Sequence, residues 1–175
     1  MGLAEFRQAL TPGTVRSLRI IQGAIGAGVL VFALVVLGMH ARVSSDVPPP
    51  PQVVVFLVQI LTVVHFVMAA AIYPLGHLVF TRMVSRERIA KSGATDPAKV
   101  LSLMRAGIIM RLAMYEGVAF VGLVVCMVGV LEGVLRAHPV YWVNAFSTVV
   151  LLLFVMRTFP SEERLLTIFE ERFRR

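Results

Sequence analysis

The chain has 175 residues, of which 58% are hydrophobic and 15% charged. Soluble domains run nearer about 45–50% apolar and about 25% charged, so the composition excludes an ordinary soluble domain and is that of a membrane protein. The net charge of +7 would suit nucleic acid, but the basic residues gather beside apolar spans, where they meet anionic headgroups, and no nucleic-acid partner is expected.

The N-terminal LAEFRQAL puts Leu3, Phe6 and Leu10 on one face of a short amphipathic, interfacial helix. TPGT follows, with Thr11 as cap and Pro12 at the first position of a new helix. That helix leads into the first apolar span, 20–39, long enough for a bilayer, which takes roughly 20 residues. The run exceeds the about 7–15 apolar residues of a signal peptide and no small-x-small site follows, so it is read as a retained helix. Its GAIGAG places Gly23, Ala24, Ala27 and Gly28 for close helix packing.

After the first span, Pro48 to Pro51 favour a polyproline II strut. The second span, 53–80, contains Pro74, and its helix is expected to continue to Lys91 with Gly93 as stop signal. Gln59, Thr62, His65, Ala69, Tyr73 and His77 step along one face of it. Such a stripe serves interhelical hydrogen bonding, or a proton, ion or cofactor path. Two histidines on one helix cannot both ligate a haem iron axially. His40 and His138, at the opposite ends of the first and third spans from the basic loops, could approach each other, which leaves a haem-binding bundle as one reading. No Cys-x-x-Cys-His, metal-ligand spacing, nucleophile elbow or phosphate loop is present, and no cofactor is expected.

Asp96-Pro97 restarts a helix as N-cap and first residue. It is expected to run to near Arg136 and to hold the third span, 112–131, antiparallel to the second. Cys126, the single cysteine, packs there as a small apolar residue. Pro139 opens the fourth span, 140–156, with Tyr141 and Trp142 as an interfacial anchor. Ser161 then caps a last amphipathic helix whose Leu165, Leu166, Phe169 and Phe173 face a membrane or partner surface. The whole, 1–175, reads as one all-α integral membrane four-helix bundle with short N- and C-terminal amphipathic interfacial helices.

The charges orient it. Arg7, Arg16 and Arg19 precede the first span. Arg82, Arg86, Arg88, Lys91, Lys99, Arg105 and Arg111 lie between the second and third. Arg157, Arg164, Arg172, Arg174 and Arg175 follow the fourth, leaving only Arg42 and Arg136 for the other two connections. The positive-inside rule puts both termini in the cytoplasm of a bacterial inner membrane.

The polar residues of the spans are the candidate functional ones. Glu116 lies about 8 Å from the centre of the third span, on its basic side. A carboxylate there costs a few kcal/mol and faces protein or water. It shares a small-residue stripe with Ala119, Cys126, Gly129 and Gly133 and is expected in a close helix contact. Gln22 and Tyr73 lie at similar depth as candidate partners, and Arg157 on the fourth span can reach up toward it. Arg111, five positions away and about 140° around the helix, is a poorer one.

The stretch RLAMYEGVAFVGLVV resembles the carboxylate helix of rotary ATPase proteolipid (c) subunits, with Glu116 at the carboxylate position, and GAIGAGVLVF is similar to the glycine-rich helix of that family. The resemblance implies a proton- or ion-handling, proteolipid-like role for Glu116. The order departs from the family's: a full span, 53–80, separates the two helices, and a long basic hairpin replaces the short polar loop. The chain as a whole resembles four-span bacterial inner-membrane proteins. The favoured function is a non-enzymatic structural or accessory subunit that packs with itself or a larger membrane complex. Ion handling by Glu116, with Tyr73 and His65 beside it, and a haem-binding bundle are the alternatives. Reporter fusions at the C-terminus and at Pro50 should report opposite sides of the membrane, and the same side at both would overturn the four-span topology.

Overall fold

In the computed structural model, the described residues are 3–42, 49–85, 87 and 96–173, without the side chains of Leu3, Arg172 and Phe173. They form α1 (Leu3–Ala9), α2 (Pro12–Arg42), α3 (Gln52–Met83), α4 (Pro97–Leu131), α5 (Val134–Ala137), a 3₁₀ segment (Pro139–Ala145), α6 (Phe146–Arg157) and α7 (Glu162–Phe173). Four helical stretches, α2, α3, α4 and 139–157, are long and apolar enough to cross a membrane. The chain is a multi-pass, all-α four-helix bundle.

The starts of these helices follow local chemistry. Thr11 Oγ1 accepts from the Thr14 N–H at 3.3 Å at the head of α2. Asp96 Oδ1 accepts from the Ala98 N–H at 3.0 Å at the head of α4. Ser161 Oγ accepts from the Arg164 N–H at 3.2 Å at the head of α7. Each side-chain oxygen satisfies a backbone donor that the first turn leaves without an intrahelical partner. Before α3, Pro51 holds φ −57° and ψ 145°, the polyproline II conformation expected of the proline run.

Two helix ends differ from expectation. α3 closes at Met83 rather than Lys91. The Ser85 N–H and hydroxyl both donate to the Arg82 carbonyl, at 3.3 and 2.9 Å, an acceptor that a continuing helix would reserve for its next turn. Gly93, the expected stop, lies outside the described residues. α4 closes at Leu131 rather than near Arg136. Gly133 takes φ 71°, the left-handed conformation that ends helices, and α5 folds back so that Leu135 lies on Gly129. A Cβ on Gly129 would meet Leu135 Cδ1, so a larger residue there would force the Leu135 side chain to shift.

The fourth crossing gains length from its 3₁₀ start. At about 2.0 Å per residue there and about 1.5 Å in α6, 139–157 reaches about 32 Å, against a hydrocarbon core of about 30 Å. An α-helix of the same residues would reach only about 28 Å.

α4 is the centre of the bundle. Half of its most apolar window is buried, against 22%, 17% and 33% for α2, α3 and the fourth crossing. Val29, Leu112, Tyr115, Ala119, Leu123, Leu151 and Val155 form the middle of the core.

A second core lies beyond the spans, at the end that carries both termini. Phe6 of α1, Leu10 just after it, and Leu165, Leu166 and Phe169 of α7 pack with Phe80, Val84, Val100, Leu101 and Met104. The Phe6 and Phe169 rings stack at 4.1 Å and 10°. The terminal helices are short and amphipathic as expected, yet their apolar faces turn onto the chain itself. The ends of α3 and α4 offer them an apolar surface within the chain, built from Phe80, Val84, Val100, Leu101 and Met104. Phe6→Ala and Phe169→Ala should each destabilise the protein by about 3 kcal/mol, as measured by denaturant titration in micelles. Because the two rings share one contact, the double variant should lose less than the two singles together by about 0.5–1.5 kcal/mol; strict additivity would refute the stack.

Candidate functional site

The polar residues of the spans fall into three layers. In the half away from the termini, α3 and the 3₁₀ segment meet across His65. Its Nδ1 is 2.9 Å from Asn144 Oδ1 and its Nε2 is 3.1 Å from Ser147 Oγ. The Asn144 amide nitrogen donates to Thr62 Oγ1 and to the Tyr141 carbonyl, both at 2.9 Å. Thr62 donates in turn to the Val58 carbonyl at 2.8 Å. These two acceptors fix the amide, so Oδ1 faces the ring and His65 carries its proton on Nδ1. The Ser147 hydroxyl then donates either to Nε2 or to the Asn144 carbonyl, 3.1 Å away.

The connectivity is that of a nucleophile, base and orienting amide. It lacks access. Ser147, His65 and Asn144 are 4%, 1% and 0% exposed, so a substrate has no approach to Ser147 Oγ. The network instead joins α3 to the fourth crossing and satisfies polar groups that hydrocarbon would leave unpaired. Gly122 of α4 makes room for it: a Cβ there would meet the Asn144 carbonyl at 2.3 Å, Ser147 Oγ at 2.6 Å and the His65 ring at 2.9 Å.

The middle layer is aromatic. Tyr73 and Tyr115 meet edge to face at 4.9 Å, and Tyr115 meets Phe154 at 4.9 Å. The Tyr115 hydroxyl donates to the Tyr73 carbonyl at 3.0 Å, one residue before Pro74. Gly76 admits the Tyr115 ring, whose Cε1 would stand 2.8 Å from an added Cβ. The Tyr73 hydroxyl is buried with no hydrogen-bond partner among the described residues.

Glu116 lies one residue further along α4, at the margin of its buried arc. Tyr115, Val118 and Ala119 are buried, Ala113 and Gly117 are exposed, and Glu116 is intermediate. Of its stripe, Ala119, Cys126, Gly129 and Gly133 are buried. The carboxylate itself makes no hydrogen bond or ion pair with a described residue. Among the described residues no hydrogen bond or ion pair joins it to Gln22, Tyr73 or Arg157, so the expected polar layer around it is not made by those residues.

At the termini end, the last carbonyls of α6 lack intrahelical donors. Gln22 of α2 supplies one: its amide nitrogen donates to the Val155 carbonyl at 2.8 Å and to Thr158 Oγ1 at 3.0 Å. Arg19 Nε donates to the Pro160 carbonyl at 2.8 Å, and Arg164 donates to the Arg157 carbonyl. Arg157 contributes its backbone, while its side chain is exposed. Arg111 sits between two rings, its guanidinium carbon 4.3 Å from the Phe80 centroid and 4.8 Å from that of Phe154.

The α3 stripe divides. Thr62, His65, Ala69 and Tyr73 face the bundle, whereas Gln59 and His77 are exposed. His40 stacks edge-on against Trp142 at 5.1 Å and His138 faces Tyr141 at 6.3 Å. No group of three or more metal-ligating side chains occurs among the described residues. Asn144, Ser147 and Gly122 were not singled out by sequence. Their available signal was Asn144 and Ser147 three apart in an apolar run, hence on one face of the fourth crossing. No protein-family model, curated protein or solved structure matches the chain.

Gly122→Ala should destabilise the bundle by about 1–3 kcal/mol, because the added methyl meets a backbone carbonyl that cannot swing aside. Gly117→Ala, with nothing within 4 Å of its Cβ position, is the control and should be neutral or stabilising. Thermal unfolding in nanodiscs distinguishes them.

Proposed function

We propose that this protein is a non-enzymatic structural or accessory subunit of a bacterial inner membrane. Both termini lie in the cytoplasm, and the chain associates through α2 with a second copy or a larger membrane complex. The carrying observation is the outward face of α2. Gly23, Ala24, Ala27 and Gly28 are all exposed, and an added Cβ at Gly23 or Gly28 would meet nothing within 4 Å. Small residues at i and i+4 let two membrane helices approach closely, and here the chain itself uses only Gly26, against Val155. The charge asymmetry along the sequence supports the orientation.

A second reading, proton or ion handling, is favoured by Glu116. A partly buried carboxylate with no partner among the described residues takes a donor from another subunit, or exchanges a proton with water.

Native mass in nanodiscs tests the first reading. Wild type should appear as more than one chain or with co-purifying membrane partners. Gly28→Leu has open space for its side chain and gains about 1 kcal/mol of helix propensity, so it should fold and yet appear as a single chain. Unchanged assembly of Gly28→Leu would refute the α2 contact. Glu116→Gln tests the second: loss of a proton flux that wild type shows, with assembly unchanged, would establish ion handling.

A further inference from the structure

We infer that the chain assembles head to tail with copies of itself: the exposed face of α3 in one copy seats in the seam between α2 and α4 of the next, and His77 of the first donates to Glu116 of the second. The inference rests on the proposed association through α2 and names the surface that meets it.

Two contacts fix the levels of α2 and α4. The Arg105 guanidinium donates to Ser17 Oγ at 3.2 Å, and the Phe32 and Phe120 rings lie 5.6 Å apart. Each pair is separated by 88 residues, so the two helices run parallel and Gly28 is level with Glu116. Along this seam Ala24, Gly28, Ala113 and Gly117 are exposed, and a Cβ added at either glycine would meet nothing within 4 Å. The seam is a shallow groove of small residues with Glu116, partly exposed, at its edge. Small residues let a further helix approach closely, and a carboxylate at this depth is more stable against protein than against hydrocarbon.

α3 carries the complement. Gln59, Val63, Phe66, Ala70 and His77 are exposed and step by four, three, four and seven, which is one face of a helix. α3 runs antiparallel to α4, with Tyr73 beside Tyr115 and Phe80 beside Gly107. His77 is therefore level with Arg111, about 7 Å nearer the termini end than Glu116 at about 1.5 Å per residue. Ala70 is level with the neighbourhood of Gly117, which sets small against small at the closest approach. Copies in one membrane share orientation and depth, so these levels hold between neighbours as well as within a chain. Helical side chains lean toward the N-terminus of their helix. The Glu116 carboxylate thus leans toward the termini end and the His77 ring away from it, and the two close the gap. An imidazole N–H donates to a carboxylate in either protonation state of the ring.

The contact joins unlike surfaces. On α4, Tyr115 meets α3 and Phe120 meets α2, about 140° apart around the helix, so the α3 face and the seam stand on different sides of the chain. A heterologous contact leaves one free surface of each kind on any pair of copies and is completed by closing a ring.

The test uses the full chain. His77→Cys and Glu116→Cys chains, each also carrying Cys126→Ala to remove the single native cysteine, are co-expressed with different tags and treated in membranes with a short bismaleimide. The two kinds should cross-link to each other and neither kind to itself. Native mass of wild type in large nanodiscs should show three or more copies. His77→Leu, on an exposed side chain, should weaken assembly about threefold to tenfold, the size of one interhelical hydrogen bond in a membrane. His77→Glu should weaken it further, and adding Glu116→His should restore it. A single wild-type chain would overturn the association itself and this contact with it. Several copies without the mixed cross-link, or with cross-linking of either kind alone, would overturn the contact and leave the association standing. Failure of Glu116→His to rescue His77→Glu would overturn the pairing of the two side chains.

Discussion

Hydrocarbon supplies no hydrogen-bond partners, and this one condition governs how the fourth crossing is built. A span of helix must satisfy its own backbone or borrow donors from neighbours. The fourth crossing is short, begins in 3₁₀ geometry and ends within α6, so both its ends need help. At one end Asn144 bonds the Tyr141 carbonyl and ties the segment to Thr62 and His65 of α3. At the other, Gln22, Arg19 and Arg164 take the carbonyls of Val155, Pro160 and Arg157. The polar residues that stand out in an otherwise apolar chain are, for the most part, these fasteners. Gly122 and Gly76 exist for the same reason: they let α4 come near enough for the fasteners to close.

That account separates Glu116 from the rest. His65, Gln22 and Tyr115 each have identified partners within the chain, and Glu116 has none among the described residues. Together with the exposed glycines of α2, it marks the surfaces on which the proposed association rests.

Helix starts were legible because their determinants are local. A serine, threonine or aspartate at the cap acts within three residues, and Thr11, Asp96 and Ser161 all do what their positions imply. Helix ends were less so. The end of α4 depends on Leu135 folding back onto Gly129, and nothing in the local pattern distinguishes that from a continuing helix. The His65 stripe was visible as a face, but its partners were not: periodicity says which side of α3 is polar, and only the packed bundle says that Asn144 and Ser147 stand opposite. The terminal helices show the same limit. Their amphipathicity was plain, yet an apolar face reads alike whether it will meet lipid or the projecting ends of α3 and α4.

The stack of Phe6 on Phe169 has a consequence for biosynthesis. Phe6 precedes all four crossings in the chain and Phe169 follows them, so the ring of α1 meets the ring of α7 only after the last crossing has been made. The stack is therefore among the last contacts that synthesis allows, and it joins two helices that the whole bundle separates in sequence.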